Sequence, residues 1–307
     1  MDIKLYQKYV ICVYESGSLT QAAKRLGISQ PALSNSMNAI EKKLGFRIFD
    51  RKATPVKLTS VGEIYLEYLR KEQLLTEDYQ KKIADMNQRK NTSLTVGGPV
   101  VYVDALITKA TTAFRSRYPE CEIRIKNEPV PELIRQAKNG EVDCFISTSD
   151  ILPERFTKTV LKKEKIYLGI PRDWKINEAL TKDALGEITD YSLLNGQEFI
   201  FLEEDQPLQK EMEKFFEQKG IIPKHHIRVN QLSTAWKLAR TGAGIAFVSE
   251  EALQIDQWEK ELCMYVLPEG VSGRNIYIAW DSERYITYAC RELIQQLQDI
   301  CLKETEK

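Results

Sequence analysis

Histidine is almost missing from this chain of 307 residues, with only His225 and His226 present. As neighbours they point to opposite faces of any strand that holds both, which suits neither a metal pair nor a general base. Six cysteines (Cys12, Cys121, Cys144, Cys263, Cys290, Cys301) contain no C-x-x-C pair. Neither a zinc site nor a disulfide frame is expected, and the scatter fits buried free thiols in a reducing compartment. There is no nucleophile elbow and no P-loop, and Gly242-x-Gly244 lacks the third glycine of a dinucleotide fingerprint and leads into a strand. No catalytic residue, metal or cofactor is therefore expected. No apolar run could span a bilayer, and Met1-Asp2-Ile3-Lys4, soon followed by Lys8, Glu15 and Ser16, offers no signal-peptide core, so the chain reads as cytosolic. Net charge is absent as well, because 44 basic side chains balance 44 acidic ones.

That balance hides an asymmetry. Residues 1–60 hold ten Lys or Arg (Lys4, Lys8, Lys24, Arg25, Lys42, Lys43, Arg47, Arg51, Lys52, Lys57) against four acids (Asp2, Glu15, Glu41, Asp50), and the remainder carries the opposite surplus. A basic head on an acidic body fits a phosphate-binding module attached to a domain with other work, although a solvated charged surface explains the same numbers. With 43% hydrophobic residues, the chain can bury a full core in two or three domains.

The head spells three short helices and a hairpin. Ile3, Tyr6, Val10 and Val13 recur at helical spacing until Gly17. Ser18-Leu19-Thr20-Gln21 has the form of a capping box, with Ser18 accepting from the third helical amide and Gln21 reaching back, and opens a second helix through Leu26. Only Gly27-Ile28 separates it from Ser29, a suitable N-cap, with Pro31 in the next first turn. Two helices joined so tightly cross steeply, as in a helix-turn-helix. The third helix, about Gln30 to Leu44, places Leu33, Met37, Ile40 and Leu44 on one stripe and Gln30, Pro31, Ser34, Asn35 and Asn38 on the opposite face. Short hydrogen-bonding side chains there fit base edges and phosphates, asparagine being able to pair bidentately with adenine.

Phe46 to Asp50 and Val56 to Thr59 read as strands around a turn carrying Arg51 and Lys52, a wing whose cations can reach the backbone or minor groove. Ser60-Val61-Gly62-Glu63 reads as a second capping box before a long helix. Its apolar positions Val61, Tyr65, Tyr68, Leu75, Tyr79 and Met86 approximate a heptad, so a partner chain is the expected cover and a homodimer follows.

Residues 1 to about 65 resemble the DNA-binding head of the LysR-type transcriptional regulators. The resemblance rests on Gly17-Ser18-Leu19-Thr20-Gln21-Ala22-Ala23-Lys24-Arg25-Leu26-Gly27-Ile28-Ser29-Gln30-Pro31-Ala32-Leu33-Ser34, on Ile40 through Arg51, and on Leu58-Thr59-Ser60-Val61-Gly62. The DNA-facing set is then Thr20, Gln21, Ser29, Gln30, Pro31, Ser34, Asn35, Asn38, Arg51 and Lys52. The family often has a basic residue where Asn35 or Asn38 stands, so polar base contacts carry more weight here.

From about Asn91 strands alternate with helices: Ser93 to Val96, a helix from Val101 to Tyr118, Cys121 to Lys126, a helix from Val130 to Asn139, and Val142 to Ser147. The series recurs with Phe199 to Leu202, a helix from Pro207 to Lys219, His226 to Val229, a helix from Ser233 to Thr241, and Gly244 to Val248. Two α/β lobes with mostly parallel sheets are implied. Thr159 to Ile170 reads as a strand crossing between them, and Gly273 to Trp280 with a helix from Glu283 to about Leu302 as the return.

The expected organisation is a winged helix-turn-helix over 1–60, a linker and dimerisation helix over 61–90 and an effector-binding domain over 91–307, with lobe I about 91–163 and 267–307 and lobe II about 164–266. The fold class is α/β with an all-α head, a long linker helix and a two-lobed domain like that of periplasmic binding proteins. The resemblance implies a small-molecule effector in the cleft, facing Gly98, Pro99, Val100, Val101, Thr148, Ser149, Glu203, Gln206, Ser233 and Thr234. Many members have hydroxyl residues where Pro99 and Val101 stand, and these help to bind a carboxylate; here both are apolar, so an acid would depend on backbone amides. The implied partners are double-stranded DNA at an interrupted palindrome, the effector, and further copies of the chain, as a dimer or tetramer. The rival expectation is an α/β enzyme or solute-binding sensor with a DNA-binding appendage.

Overall fold

The computed structural model describes residues 3–50, 53, 55–87, 93–255, 258, 260–268 and 273–305. These form two compact units that divide between Tyr79 and Gln80.

The first unit opens with α1 (Ile3–Ser16), α2 (Leu19–Leu26) and α3 (Gln30–Leu44). Gly27 ends α2 in the left-handed region at φ 68°, where its amide reaches the Ala23 and Lys24 carbonyls, and Ser29 accepts from the Ala32 amide at 3.3 Å to start α3. The turn is thus closed at both ends by local hydrogen bonds. Ser18, by contrast, makes no side-chain cap. The expected capping box does not form there, and the first turn of α2 closes through the main chain, Ala22 N to Ser18 O at 2.9 Å.

The wing strands β1 (Phe49–Asp50) and β2 (Lys57–Leu58) pair antiparallel and are shorter than expected. The Ile48 amide is bonded to Glu41 instead of a neighbouring strand. The long helix α4 (Ser60–Met86) follows. Its cap is Thr59 and not Ser60, because Thr59 Oγ1 accepts from the Gly62 amide at 2.9 Å while donating to the Arg47 carbonyl at 2.7 Å. Val10, Val13, Leu33, Met37, Ile40, Ile48, Leu66 and Leu69 are buried in the core of this unit. Tyr65 packs edge-on against Phe46 within that core, so it leaves the proposed dimer stripe, whereas Val61, Tyr68, Leu75, Tyr79 and Met86 are exposed.

The second unit holds β3 (Ser93–Gly98), α5 (Val100–Tyr102), a π turn (Val103–Ile107) and α6 (Thr108–Arg117), then β4 (Glu122–Asn127), α7 (Val130–Lys138), β5 (Cys144–Ser147) and β6 (Phe156–Glu164). Next come β7 (Ile166–Pro171), α8 (Ile176–Ala179), β8 (Glu198–Leu202), α9 (Pro207–Lys219), β9 (Lys224–Val229), α10 (Leu232–Arg240), β10 (Ala246–Ser249), α11 (Glu250–Leu253) and β11 (Leu262–Val266). Strand β12 (Arg274–Asp281) and α12 (Tyr288–Thr305) return to the first sheet.

That sheet has the order β4-β3-β5-β12-β6. The second lobe pairs β8 with β9 and orders β10-β7-β11, and a bridge between Phe199 and Ile245 joins the two pieces into the same pattern, β9-β8-β10-β7-β11. Both sheets are mixed where mostly parallel ones were expected. The outer three strands of each run parallel, but the chain leaves the first lobe on β6 and re-enters on β12, so these two must oppose one another, as β7 and β11 do in the second lobe. The single crossing strand expected over Thr159 to Ile170 is two strands broken at Lys165, whose amide and carbonyl both bond to Glu250. The last helix starts at Tyr288 instead of Glu283, because Asp281 holds the preceding turn through the Glu283 amide and Asp85 caps the Tyr288 amide at 2.8 Å. Cys12, Cys121, Cys144, Cys290 and Cys301 are buried and Cys263 is half-buried.

Candidate nucleic-acid interface and effector cleft

On α3 the apolar stripe expected from the sequence is the face that packs inward, with Leu33, Met37 and Ile40 buried and Leu44 half-buried against them. Gln30, Pro31, Asn35 and Asn38 are exposed on the other face, and Ser34 is half-buried at its margin. Thr20 and Gln21 are exposed on α2, and exposed Ser29 spends its hydroxyl on the helix cap. Arg51 and Lys52 lie outside the described residues.

Two features missing from the sequence expectation fix the start of the wing, one from this helix and one from α4. Glu41, only 8% exposed, sits on the flank of α3 and accepts from the Ile48 amide at 2.9 Å and the Phe49 amide at 3.3 Å. Gly62 passes so close to β1 that a Cβ there would lie 2.0 Å from the Ile48 carbonyl oxygen. Glu41 stands in the run Glu41-Lys42-Lys43, which reads as a solvated face, and nothing local reveals that two backbone amides arrive opposite it.

In the second unit Gly98 ends β3, where a Cβ would meet Val103, Ile107 and Ile146 at 3.3 to 3.5 Å. Pro99 and Val100 are half-buried; Val101 is buried with Trp236, Val248 and Ala252 of the second lobe. Val101 therefore spends its side chain on an apolar contact between lobes. Thr148 is buried, and Ser149 donates its hydroxyl to the Ile151 carbonyl at 2.9 Å. Gln206 ties the start of α9 to the Asn230 carbonyl at 3.1 Å, while Glu203 is exposed. The helix expected to open at Ser233 opens at Leu232 with Gln231 as its cap residue, leaving Ser233 and Thr234 in the first turn.

The junction between the lobes carries a polar cluster that the sequence did not announce. Glu164 at the end of β6 accepts on Oε1 from Arg274 Nε at 2.6 Å and from the Tyr102 hydroxyl, which in turn accepts from Arg274 Nη2. Both crossings between lobes, one leaving through Glu164 and one returning through Arg274, thus meet in one buried ion pair. Burial pushes the Glu164 carboxyl up, although Arg274 and Tyr102 pull it down. Burial also works against the Arg274 charge, but Tyr102, Glu164 and Glu211 outweigh it and hold Arg274 above its ordinary value. On α9, Glu211 is raised by burial; Arg274 and Lys214 lower it, and the charges of Glu164 and Asp150 push it further up. A second bridge joins the lobes, Lys162 on β6 lying 2.6 Å from Glu251 on α11. Glu164 lies in Lys162-Lys163-Glu164-Lys165, another run that reads as solvent-facing.

Residues 7–63 match the family model described as a bacterial regulatory helix-turn-helix protein of the lysR family, and residues 87–301 match the LysR substrate binding domain. The uncharacterised HTH-type transcriptional regulator YcgK of Bacillus subtilis (strain 168) is 24% identical over 99% of this chain and 96% of its own length. Among solved structures, full-length CbnR complexed with its target DNA superposes with a TM-score of 0.67 at 18% identity, covering 97% of this chain and 99% of that one. Full-length BenM gives a TM-score of 0.58 at 21% identity, covering 99% and 98%. At such identities the structural likeness speaks to fold. Two family models that together span nearly the whole chain go further: this protein belongs to the LysR family of DNA-binding transcriptional regulators, a helix-turn-helix joined to an effector-binding domain.

Proposed function

We propose that the chain works in the cytosol as a one-component regulator, reading an interrupted palindrome as a dimer, or a dimer of dimers, and altering promoter output when an effector enters the cleft between its lobes. The observation that carries this is the outward face of α3, where Asn35 and Asn38 stand exposed beside Gln30 on a helix whose other side is fully committed to the core. A two-fold dimer presents two such helices to two half-sites. The exposed Val61, Tyr68, Leu75 and Tyr79 stripe of α4 supports self-association. Thr20, Gln21, Ser29, Pro31 and Ser34 are assigned phosphate or base contacts beside the asparagines, and Arg51 and Lys52 contacts from the wing. Segment 98–101, residues 148 and 149, Glu203, Gln206 and the first turn of α10 border the proposed effector site. The boundaries that fit this reading are a head over 1–60, a linker helix over 61–90 and the effector-binding domain beyond.

Selection of bound sequences from a randomised pool tests the assignment. Asn35→Ala is expected to cost about 1–3 kcal/mol and to relax preference at one base pair per half-site. Arg51→Ala is expected to weaken all sequences alike and to flatten the salt dependence. Identical specificity profiles for wild type and Asn35→Ala would sink the base-reading role.

A further inference from the structure

The junction between the lobes holds buried hydrogen-bond acceptors without a partner among the described residues. Glu164 is 1% exposed and spends only Oε1 on Arg274 and Tyr102; its Oε2 has no hydrogen-bond partner among the described residues. Glu211 Oε2 is buried in the same condition. The two carboxylates come from opposite lobes, one at the end of β6 and one in α9, and each lies within reach of the Arg274 charge. Of the Arg274 donors, Nε is given to Glu164 Oε1 and Nη2 to the Tyr102 hydroxyl, while Arg274 acts on Glu211 through its charge.

Two more unpartnered groups stand in the second lobe. Ser249, fully buried, ends β10 in register with Ile166, two residues beyond Glu164 along the crossing, and its Oγ lacks a partner among the described residues. Trp236, 3% exposed, packs on Val101, the neighbour of Tyr102, and its Nε1 is likewise unpartnered. Buried polar groups are normally satisfied, so the two unpartnered carboxylate oxygens around Arg274 point to a guest. Three of the four groups can accept, and two of those are carboxylate oxygens. Pro99 and Val101 add no hydroxyl that could hold an acid.

We propose that the effector is an organic cation, with a protonated amino or guanidino group whose N–H donors bridge Glu164 Oε2 in one lobe and Glu211 Oε2 in the other, and with an apolar portion against Val101 and Trp236. The proposal rests on the reading that the effector occupies the cleft. A cation at this point binds the closed arrangement of the lobes more tightly than an open one, since only closure brings both carboxylates to it.

Thermal unfolding of the full chain at neutral pH tests it, with n-butylamine, putrescine and agmatine as probes, butyrate, succinate and 1-butanol as matched controls, and sodium chloride at equal ionic strength. At least one of the cations should raise Tm saturably while acids and alcohol do not. Glu211→Gln should weaken that cation's apparent affinity at least about tenfold, as expected for a lost charge-assisted hydrogen bond, and Glu211→Asp should fall between. Circular dichroism of each variant separates lost binding from lost fold. Silence across all three cations overturns the proposal, as does a cation response unchanged in Glu211→Gln. If butyrate or succinate raises Tm instead and Ser249→Ala weakens that response, the cleft reading stands and the cationic class falls. A response indifferent to both Glu211→Gln and Ser249→Ala moves the site out of the cleft.

Discussion

Removing the Glu41 carboxylate should uncouple the wing from the recognition helix. Oε1 accepts two backbone amides, Ile48 at 2.9 Å and Phe49 at 3.3 Å, on a side chain that is 8% exposed. A hydrogen bond to a charged group contributes about 1.5–3 kcal/mol, and losing the acceptor leaves a buried donor without water. The longer bond counts at the low end, so Glu41→Ala should cost roughly 3 kcal/mol, and Glu41→Gln, which keeps a neutral acceptor, roughly 1 kcal/mol. In a unit the size of the first, each kcal/mol lowers Tm by about 4–8 °C. Scanning calorimetry of the full chain should therefore show one transition falling by roughly 12–24 °C in Glu41→Ala while the transition of residues 80–307 stays in place. Operator affinity should fall with the wing, and salt dependence should flatten as its cations lose their station. A Glu41→Ala protein within about 0.5 kcal/mol of wild type, or one whose other transition moves, would refute the account, because neutral surface substitutions reach only that far.

The acidic base of the cleft makes a pH prediction. Burial raises Glu211, with Glu164 and Asp150 adding to the rise and Arg274 and Lys214 opposing it. A carboxyl whose folded value lies above its unfolded one stabilises the fold below the unfolded value, and that contribution is lost as pH rises through the folded value. The stability that Glu211 contributes should thus decline from about pH 4.5 upward, and Glu211→Gln should remove that part of the pH dependence; steeper loss in the variant would contradict this. The thiols give a simpler test. A bulky disulfide reagent should label Cys263 ahead of the five buried cysteines, and mild peroxide should leave the operator footprint unchanged. Rapid labelling of two or more thiols in folded protein would show that the cores open.

Much of the head was legible because its signals are local. Gly27 and Ser29 close the turn with bonds to residues within four positions, and the stripe of α3 follows from helical spacing. Cap identity was less secure: Ser60 and Thr59 are adjacent hydroxyls, and only the arrival of the Arg47 carbonyl selects Thr59. The buried charges were illegible for the same reason at greater range. Glu164 is bonded to Arg274, 110 positions away, and no pattern around either residue distinguishes it from a surface charge. The break at Lys165 likewise depends on Glu250 meeting it from the other lobe. Tyr102, Glu211 and Arg274, where the lobes join, were missed because their contacts appear only once the lobes are assembled.

The order in which the two sheets draw on the chain has a consequence for synthesis. Every strand of the second lobe falls between Ile166 and Val266, so this lobe has all it needs soon after the ribosome passes residue 266. The first lobe begins 73 residues earlier, at Ser93, yet its sheet has a gap between β5 and β6 until β12 arrives, and α12 supplies Leu293, Leu297 and Cys301 to its core. Of the two lobes, the one translated first therefore completes its fold last. During that interval the edges of β5 and β6 and an open apolar face wait for partners, which makes the nascent first lobe the part of the molecule most exposed to aggregation and to chaperone capture. A stop codon placed after Pro268 would leave the second lobe its strands and its buried Leu267 and abolish the first.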